Sequence, residues 1–230
     1  MQELDAASVD VWRVSLSDPA WDEHCEAMSE EERLRSERFA TERLRVRARR
    51  SRIALRCLLA RYLGRPAREL RFTYGAVGKP YMRDVDIHFN VSHSGDWALI
   101  GIGGHELGVD LEQIDRRGVN IAELVDLVCH PSEKERLRFS QTPAEHFYAL
   151  WTQKEAYCKA LGVGIGHPLT ALRFESYLGS SYRVIDGERE TKYVVRPVPA
   201  PKGFVAHVCV PRGVMRLGYA DTRTIMCSPF

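Results

Sequence analysis

The chain has 230 residues, of which 44% are hydrophobic and 28% charged, and its formal net charge is +2 at pH 7. These values are ordinary for a soluble globular protein, and the length allows one large domain or two small ones. The nearly balanced charge offers no global argument for nucleic-acid binding. The six cysteines are scattered without a C-x-x-C pair, which predicts reduced, mostly buried thiols instead of a zinc site or disulfide framework. We find neither a secretory leader nor an apolar run of membrane-spanning length, and therefore expect a cytoplasmic protein without a membrane partner.

The N-terminal elements follow from periodicity and capping residues. Val9–Leu16 alternates apolar and polar residues, which is the pattern of a half-buried strand. Ser29 followed by Glu32 fits a capping box at the start of a helix. The apolar spacing over Ile53–Leu63 predicts a second helix that ends near Gly64.

An arginine-rich segment covers these helices. Ten arginines lie between Arg33 and Arg56, and the only acids within that stretch are Glu37 and Glu42. The arginines can form a solvated helix face, contact nucleic-acid phosphates, or hold the phosphates of a small ligand, for which the bidentate guanidinium is well suited. The lack of interleaved aromatic residues and of a groove-reading motif disfavours nucleic acid.

Two candidate ligand-binding turns lie in the middle of the chain. A strand is predicted over Leu70–Tyr74 and leads into a Gly-Lys-Pro turn that presents Lys79 on a loop. A second strand, Ile87–Val91, leads into an S-H-S-G turn. There the ring of His93 and the hydroxyl of Ser92 are candidates for phosphate contact, and a solvated turn is the alternative.

A pair of acidic residues lies in the stretch Leu107–Ile114. If this stretch is a strand, Asp110 and Glu112 point to one face and the apolar residues between them point to the other. Two carboxylates at this spacing repel each other unless solvent or a cation separates them, so the pair predicts a Mg²⁺ site. A solvent-facing strand edge is the alternative, and no His-Cys ligand set argues for zinc.

A long helix predicted to start at Pro143 carries the third candidate group. At 3.6 residues per turn, Trp151, Glu155 and Lys159 share one face and are one turn apart. A glutamate four residues before a lysine is often only a surface pair that stabilises a helix. Together with the acidic pair, the lysine turn and the histidine turn, the group instead indicates one site for a metal and a phosphorylated ligand.

The remaining elements complete a two-lobed α+β chain. Ser132 and Glu135 fit another capping box, and a loop is expected over Arg116–Asn120. Further strands are predicted over Trp97–Ile102, Leu172–Tyr177, Tyr182–Ile185, Lys192–Arg196, Gly203–Val210 and Met215–Tyr219. Both halves contain helix and strands, so we expect them to join near Gly103–Gly108, with the site in the cleft between them.

Four motifs then follow one another along the chain. They are G-K-P at Gly78–Pro80, F-N-V-S-H-S-G at Phe89–Gly95, G-V-D-L-E at Gly108–Glu112, and W-T-Q-K-E-A-Y-C-K-A at Trp151–Ala160. In this order and spacing they resemble the Sfp-type 4′-phosphopantetheinyl transferases, in the branch with the W-x-x-K-E-A form. The resemblance covers most of the chain, although the C-terminal strands match in general character only.

The resemblance implies a pseudo-dimeric α+β fold of two similar lobes, each a helix on a small antiparallel sheet. The N-terminal lobe is expected to span residues 1–106 and the C-terminal lobe residues 107–230. It also implies Mg²⁺-dependent transfer of 4′-phosphopantetheine from coenzyme A to a serine of an acyl or peptidyl carrier protein, a transient and acidic partner. Because one chain already holds both lobes, we expect a monomer.

The same motifs imply residue roles. Asp110, Glu112 and Glu155 match the metal-binding acids of the family. Glu155 is expected to act as the base, and Lys159 to stabilise the pyrophosphate. The His93 position matches the contact with the 3′-phosphate of coenzyme A. The full set that matches coenzyme A contacts is Arg35, Arg47, Lys79, Pro80, Ser92, His93, Lys154 and Lys159.

Two rival functions stay open at this point. A Mg²⁺-dependent nuclease or nucleotide-processing enzyme would use the same acids with the arginine-rich segment as a nucleic-acid track, and its binding would depend strongly on salt. A non-catalytic, carrier-binding relative is expected to lack one of the acids or lysines, and all of them are present.

Overall fold

The structure, a computed structural model, describes residues 7–114 and 121–222, and of Ile165 only the backbone. The loop expected over Arg116–Asn120 and the cysteine Cys227 lie outside this part. Within it, no helix is long and apolar enough to cross a membrane. The other five cysteines are free, and all of them except Cys25 are buried, as the sequence predicts.

The described residues form a mixture of helices and strands. Helices α1 to α5 span Glu30–Glu37, Glu42–Leu63, Ile121–Val128, Pro131–Arg138 and Pro143–Leu161, and short 3-10 helices lie at Pro19–Ala27, Ala67–Glu69, Gly164–Gly166 and Leu169–Ala171. Strands β1 to β11 span Ser8–Ser15, Thr73–Tyr74, Pro80–Tyr81, His88–Ser94, Trp97–Gly103, Gly108–Gln113, Leu172–Ser176, Tyr182–Asp186, Arg189–Pro197, Phe204–Pro211 and Arg216–Asp221.

The strands form two main sheets and one short hairpin, β2–β3. The first sheet has the order β11-β1-β5-β4, and the second has the order β6-β10-β9-β8-β7. The strand pairs are antiparallel, with the exception of β1 and β11, which run parallel. The N-terminal sheet therefore receives an edge strand from the far end of the chain and is not wholly antiparallel.

The two sheets pack face to face, with α2 outside the first and α5 outside the second. Strand β5 shows the arrangement, because Ala98, Ile100 and Ile102 pack in the cluster with α2, whereas Leu99 packs with Val109 in the cluster between the sheets. Successive side chains of a strand point to opposite faces, so β5 is buried on both. The fold is therefore the expected α+β pseudo-dimer, with one long helix on each sheet.

Both long helices end at a glycine in the left-handed conformation. Gly64 ends α2 with a φ of 61°, and Gly162 ends α5 with a φ of 70°. Glycine adopts this conformation without the steric cost of a Cβ, and is therefore common at helix ends. The predicted end of α2 and the predicted start of α5 at Pro143 are confirmed.

Several of the predicted strands have different bounds, and two of these differences lie near the site. Of the segment Leu70–Tyr74, only Thr73–Tyr74 is a strand. The carbonyl of Leu70 instead accepts a hydrogen bond from the guanidinium of Arg56 at 3.2 Å. In the opposite direction, β4 continues to Ser94, so that His93 belongs to a strand and not to a turn.

The capping box predicted at Ser132 and Glu135 is wrong. The residue that caps α4 is His130, and its box is completed by Glu133. Pro131 occupies the first turn, where the missing N–H costs nothing, and it moves the start of the helix two residues upstream. The box predicted at Ser29 and Glu32 is confirmed.

Candidate active site

The edge strands β4 and β6 of the two sheets lie side by side and are joined through side chains. The side-chain oxygens of Asn90, Ser92 and Ser94 accept hydrogen bonds of 2.8 to 3.3 Å from backbone N–H groups of β6. Alternate residues of a strand share a face, so an N-x-S-x-S pattern can meet one partner strand along its length. The motif F-N-V-S-H-S-G therefore links the two lobes and satisfies edge-strand donors that would otherwise be unpaired.

The two serines also hold the acidic pair of β6. Ser92 Oγ donates to Asp110 Oδ1 at 2.8 Å, and Ser94 Oγ donates to Glu112 Oε2 at 2.8 Å. The two acids share a face, as the strand period predicts. Asp110 is only 2% exposed, so the alternative of a solvent-facing strand edge is wrong for this residue.

A close approach of backbones brings α5 to these acids. A Cβ at Gly108 would collide with the backbone of α5 at Ala156 and Ala160. Only glycine allows the helix to cross β6 at this distance. Gly108 therefore places the residues on the facing side of the helix, Glu155 and Lys159, next to the carboxylates of β6.

Lys159 is bonded directly to the acidic strand. Its ammonium lies 2.5 Å from Asp110 Oδ1 and donates to Ser92 Oγ at 3.0 Å. The carboxylate is buried, while the lysine side chain is 29% exposed. The ion pair is thus reachable from solvent on the lysine side alone, which leaves the ammonium able to meet a bound anion.

The other two carboxylates lie within the electrostatic field of the same pair. Burial raises the pKa of Glu155, the charge of Asp110 raises it further, and Lys159 opposes the change. Burial and the charge of Asp110 likewise raise the pKa of Glu112, while the hydrogen bond from Ser94 and the charge of Lys159 oppose the change. Three neighbouring carboxylates with one ammonium form a site that a further cation would stabilise.

The fit of these acids to a metal can be judged from their oxygens. Asp110 Oδ2 is buried and has no hydrogen-bond partner in residues 7–114 and 121–222. Carboxylate oxygens are the ligands that Mg²⁺ prefers. In the same part of the chain, however, no three His, Cys, Asp or Glu side chains converge into a closed metal site. The acids therefore fit a hard divalent cation in chemistry and charge, but they do not form a complete ligand shell.

A cavity of about 280 Å³ opens between α1, α2, the β2–β3 hairpin and β4. The guanidinium of Arg35 lies 5.3 Å from the ring centroid of Tyr74, and both residues line the cavity. Pro80 and His93 also contribute to the lining. Two of the predicted phosphate-binding residues, Arg35 and His93, thus face one cavity, together with Pro80.

His93 connects this cavity to the acidic site. It alternates with Ser92 and Ser94 along β4, so its ring points away from β6 and lines the cavity, where it is exposed. Surrounding protein lowers the pKa of the ring, and the positive charges of Lys159 and Arg47 lower it further. A neutral, exposed ring next to two cations can donate a hydrogen bond to a phosphate group.

The sequence was compared with known proteins. A family model described as the 4′-phosphopantetheinyl transferase superfamily matches residues 106–209, and one described as 4′-phosphopantetheinyl transferase, N-terminal, matches residues 11–103. The phosphopantetheinyl transferase of Thraustochytrium sp. is 31% identical over 215 residues, which cover 83% of this chain and 74% of that protein. The chain belongs to the 4′-phosphopantetheinyl transferase superfamily.

Two further relatives support the Sfp-type branch of these transferases. The 4′-phosphopantetheinyl transferase HetI of Nostoc sp. is 33% identical over 166 residues, covering 68% of this chain and 70% of that protein. The 4′-phosphopantetheinyl transferase Sfp of Bacillus subtilis is 24% identical over 165 residues, with the same coverage of 68% and 70%.

In this transferase, the Ser92 hydroxyl is bonded within the protein, and its contact with coenzyme A stays a prediction. The residue is only 6% exposed. Its hydroxyl already donates to Asp110 and accepts from the Leu111 N–H and from Lys159. These three bonds fill the donor and acceptor capacity of the hydroxyl, so Ser92 positions the acid and the lysine.

The predicted ligand contact of Lys154 is wrong, because the structure leaves its side chain no accessible surface. Its side chain is fully buried, and its ammonium lies 2.7 Å from Glu133 Oε2 on α4. The same ammonium donates to three backbone carbonyls, those of Val128, Leu169 and Leu172. Lys154 therefore ties α5 to the surrounding segments of the C-terminal lobe and is not accessible to a ligand.

Lys79 and Arg47 lie near the site but are bonded within the protein. The Lys79 ammonium donates to the carbonyls of Lys159 at 2.6 Å and Leu107 at 3.2 Å, and burial lowers its pKa. Arg47 Nε donates to Asp96 Oδ1 at 2.7 Å. Lys79 thereby joins the hairpin to the end of α5. Contacts of these two side chains with coenzyme A stay predictions.

Many arginines of the N-terminal segment are paired with acids that are distant in sequence. Arg50 pairs with Asp22, and Arg43 pairs with Asp96. Arg56, only 2% exposed, pairs with an acid on α1. The segment is less of a solvated face than its composition predicts, and ion pairs within the protein occupy several of the guanidinium groups that a nucleic-acid track would need.

Sequence reasoning missed one residue that holds the acids, Ser94, which bonds Glu112. The S-H-S-G pattern predicts a turn at this position. The alternation of N-V-S-H-S, however, places Ser94 with Asn90 and Ser92 on one face of a strand. The strand period was therefore the available signal.

Proposed function

We propose that this transferase moves the 4′-phosphopantetheine group of coenzyme A to a serine hydroxyl of an acyl or peptidyl carrier protein. The reaction releases adenosine 3′,5′-bisphosphate and converts the apo carrier to its holo form. The observation that carries the proposal is the ion pair of Asp110 with Lys159, next to Glu155 and beside a cavity lined by Arg35 and His93.

Asp110, Glu112 and Glu155 would hold Mg²⁺, for which the free Asp110 Oδ2 is the clearest ligand. When bound, the ion neutralises the pyrophosphate charge and polarises its oxygens. In the chain itself, Ser92 and Ser94 orient two of the acids through hydrogen bonds. Hydrogen bonds of this kind fix the orientation of metal-binding side chains and are common around metal sites.

Glu155 accepts the proton of the carrier serine. Its raised pKa makes the carboxylate a stronger base than an exposed glutamate. The serine oxygen forms a bond to the phosphorus that carries pantetheine, while the bond from that phosphorus to the bridging oxygen breaks. Lys159, exposed on the ligand side of its ion pair, stabilises the charge that develops on the leaving phosphate.

The cavity between α1, α2, the hairpin and β4 supports the assignment of the residues that bind the adenosine part of coenzyme A. Arg35 and His93 would contact the 3′-phosphate, with Pro80 in the wall and Arg47 and Lys79 close by. We further propose that the protein acts in the cytoplasm as a monomer, with functional lobes at residues 1–106 and 107–230. The two-sheet arrangement, which already forms a cleft in one chain, supports this.

The decisive experiment is a mass measurement. The chain is incubated with coenzyme A, MgCl₂ and a panel of apo carrier proteins, and each carrier is examined by intact-mass spectrometry. We expect one phosphopantetheinyl group on the carrier serine, and none on the matching serine-to-alanine carrier. Glu135→Gln, on the exposed side of α4, is the matched control for Glu155→Gln.

A chain that binds coenzyme A but modifies no member of a broad panel would overturn the proposal. The nuclease alternative is tested in parallel by binding to single-stranded and double-stranded DNA at increasing salt. Tight binding that weakens steeply with salt would favour that alternative.

A further inference from the structure

The side chain of Lys79 is directed toward α5 and not into the cavity. Its neighbours in the hairpin, Gly78 and Pro80, both line the cavity. The Lys79 ammonium instead donates to two backbone carbonyls, that of Leu107 just before β6 at 3.2 Å and that of Lys159 in the last turn of α5 at 2.6 Å. The hairpin of the N-terminal half therefore holds the backbone on which the site is built.

These two carbonyls lie at the point where α5 crosses β6. Leu107 directly precedes Gly108, and a Cβ at Gly108 would lie only 2.9 Å from the carbonyl carbon of Lys159. The helix and the strand are thus in close backbone contact at this position. One ammonium bonds both of them at their crossing, and it comes from neither.

The carbonyl of Lys159 is one of the last four of α5, which have no partner within a helix. The N–H groups that follow the helix, those of Gly162 and Val163, both donate to the preceding carbonyl, that of Cys158. Lys79 supplies the donor for Lys159 from a distant part of the chain. Its positive charge also suits the negative end of the helix dipole. Lys79 therefore caps α5 at the turn that carries the lysine of the site.

We propose that Lys79 is a positioning residue of the transfer reaction, which acts by fixing the direction in which the Lys159 side chain leaves the helix. The inference rests on the proposed function. The Lys159 ammonium meets Asp110 Oδ1 and Ser92 Oγ, and it must also reach the leaving phosphate. A rotation of the last turn would displace the ammonium from these positions, and small displacements of a group that stabilises the reacting atoms cost much of the rate.

Lys79→Met is the first test. The variant keeps the apolar stem, which packs beside Gly162, and removes the ammonium. We expect the single-turnover rate of carrier modification at saturating coenzyme A to fall by about tenfold or more. Coenzyme A affinity, measured by isothermal titration, should be unchanged, because the ammonium does not face the cavity.

Lys192→Met is the matched control. The Lys192 side chain is 70% exposed, and its ammonium lies 3.8 Å from Glu106 in the loop that leads to β6. The control removes a positive charge near the same loop without touching α5, so it should keep the native rate. An equal loss of rate in the control would refute the inference, because it would trace the effect to charge and not to the cap.

A double-mutant cycle tests whether Lys79 acts through Lys159. In Lys159→Met there is no ammonium to position, so adding Lys79→Met should lower the rate no further. Residues that act through one another give such non-additive losses, whereas independent residues give additive ones. Additive losses would show that Lys79 acts on its own and would refute the inference.

The remaining outcomes separate a positioning role from the other roles of a lysine here. A native rate in folded Lys79→Met would make the cap merely structural, and weakened coenzyme A affinity with a native rate at saturation would make Lys79 a ligand contact. Either result refutes the inference and leaves the transfer reaction standing.

If Lys79→Met does not fold, Lys79→Gln takes its place. The shorter amide keeps N–H donors without the charge, so its rate should lie below the native rate at equal coenzyme A affinity. A native rate in this variant would refute the inference. Absence of transfer by the native chain would instead refute the proposed function itself.

Discussion

Lys159 Nζ lies 2.5 Å from Asp110 Oδ1, so the last turn of α5 is bonded directly to the acidic strand β6. One ammonium neutralises one of three neighbouring carboxylates. The other two, Glu112 and Glu155, have raised pKa values because they are partly buried beside the charge of Asp110. Repulsion among these carboxylates therefore lowers the stability of the cation-free protein. Substitutions that remove one of the carboxylates should raise stability and lower activity.

Glu155→Gln tests the chemistry. The amide keeps the shape of the side chain but neither accepts the serine proton nor supplies a negative charge. We expect carrier modification to fall by about two orders of magnitude or more, whereas coenzyme A affinity survives better. Single-turnover assays at saturating Mg²⁺, with isothermal titration of coenzyme A, measure the two effects. Near-normal transfer would refute the role of Glu155.

The same variant tests whether the raised pKa of Glu155 lowers the stability of the folded protein at neutral pH. A carboxyl whose pKa is raised in the folded state binds protons more tightly when folded, so its contribution to stability falls as pH rises from the unfolded pKa through the folded one. At pH 7 in EDTA, Glu155→Gln should therefore unfold at a urea concentration equal to or above that of the parent. A clear loss of stability would contradict this account of the pKa shift.

His93→Ala tests the 3′-phosphate contact. The ring lines the cavity beside Arg35, and its pKa is lowered by surrounding protein and by Lys159, so it is neutral at pH 7 and available as a donor. The variant should lose more affinity for coenzyme A than for 3′-dephospho-coenzyme A in parallel titrations. Equal losses for the two ligands would assign the 3′-phosphate to another residue.

Lys154→Met tests the correction to the sequence-based assignment. The change leaves the charge of Glu133 buried without its partner, which should lower the free energy of unfolding by about 3–5 kcal/mol. The double variant with Glu133→Gln should recover part of that loss. Because the ammonium has no access to solvent, coenzyme A affinity of the folded variant should be unchanged. A selective loss of affinity without loss of stability would restore the ligand contact.

His207 should make the protein acid-sensitive. Burial lowers its pKa to about 3, and its ring nitrogens face Thr152 and Gln153. Below the unfolded pKa of about 6.5 the unfolded chain binds a proton that the folded ring refuses, so stability falls by about 1.4 kcal/mol per pH unit toward pH 3. Urea unfolding at pH 7, 6 and 5 should show a shallower decline for His207→Gln. Identical slopes would contradict the prediction.

Local patterns in the sequence predicted most of the elements and the side of each on which the site residues lie. The strand period puts Asp110 and Glu112 on one face, and the helical period puts Glu155 and Lys159 on another, as the structure shows. Such patterns are reliable where the interaction is short-range. A capping box, a proline at a helix start or a glycine at a helix end acts within one turn of chain.

Only the tertiary structure decided which group each polar side chain of the site binds. Ser92 had the chemistry of a phosphate ligand, but β6 and Lys159 occupy its hydroxyl. Lys154 lies in the motif next to Glu155, as a ligand-binding lysine would, but it is buried in an ion pair with Glu133 of another helix. A polar side chain binds whichever partner the packing brings within reach, and a partner far along the chain leaves no local pattern. For the same reason, the close approach of α5 to Gly108 could not be predicted before the two sheets and their helices were assembled.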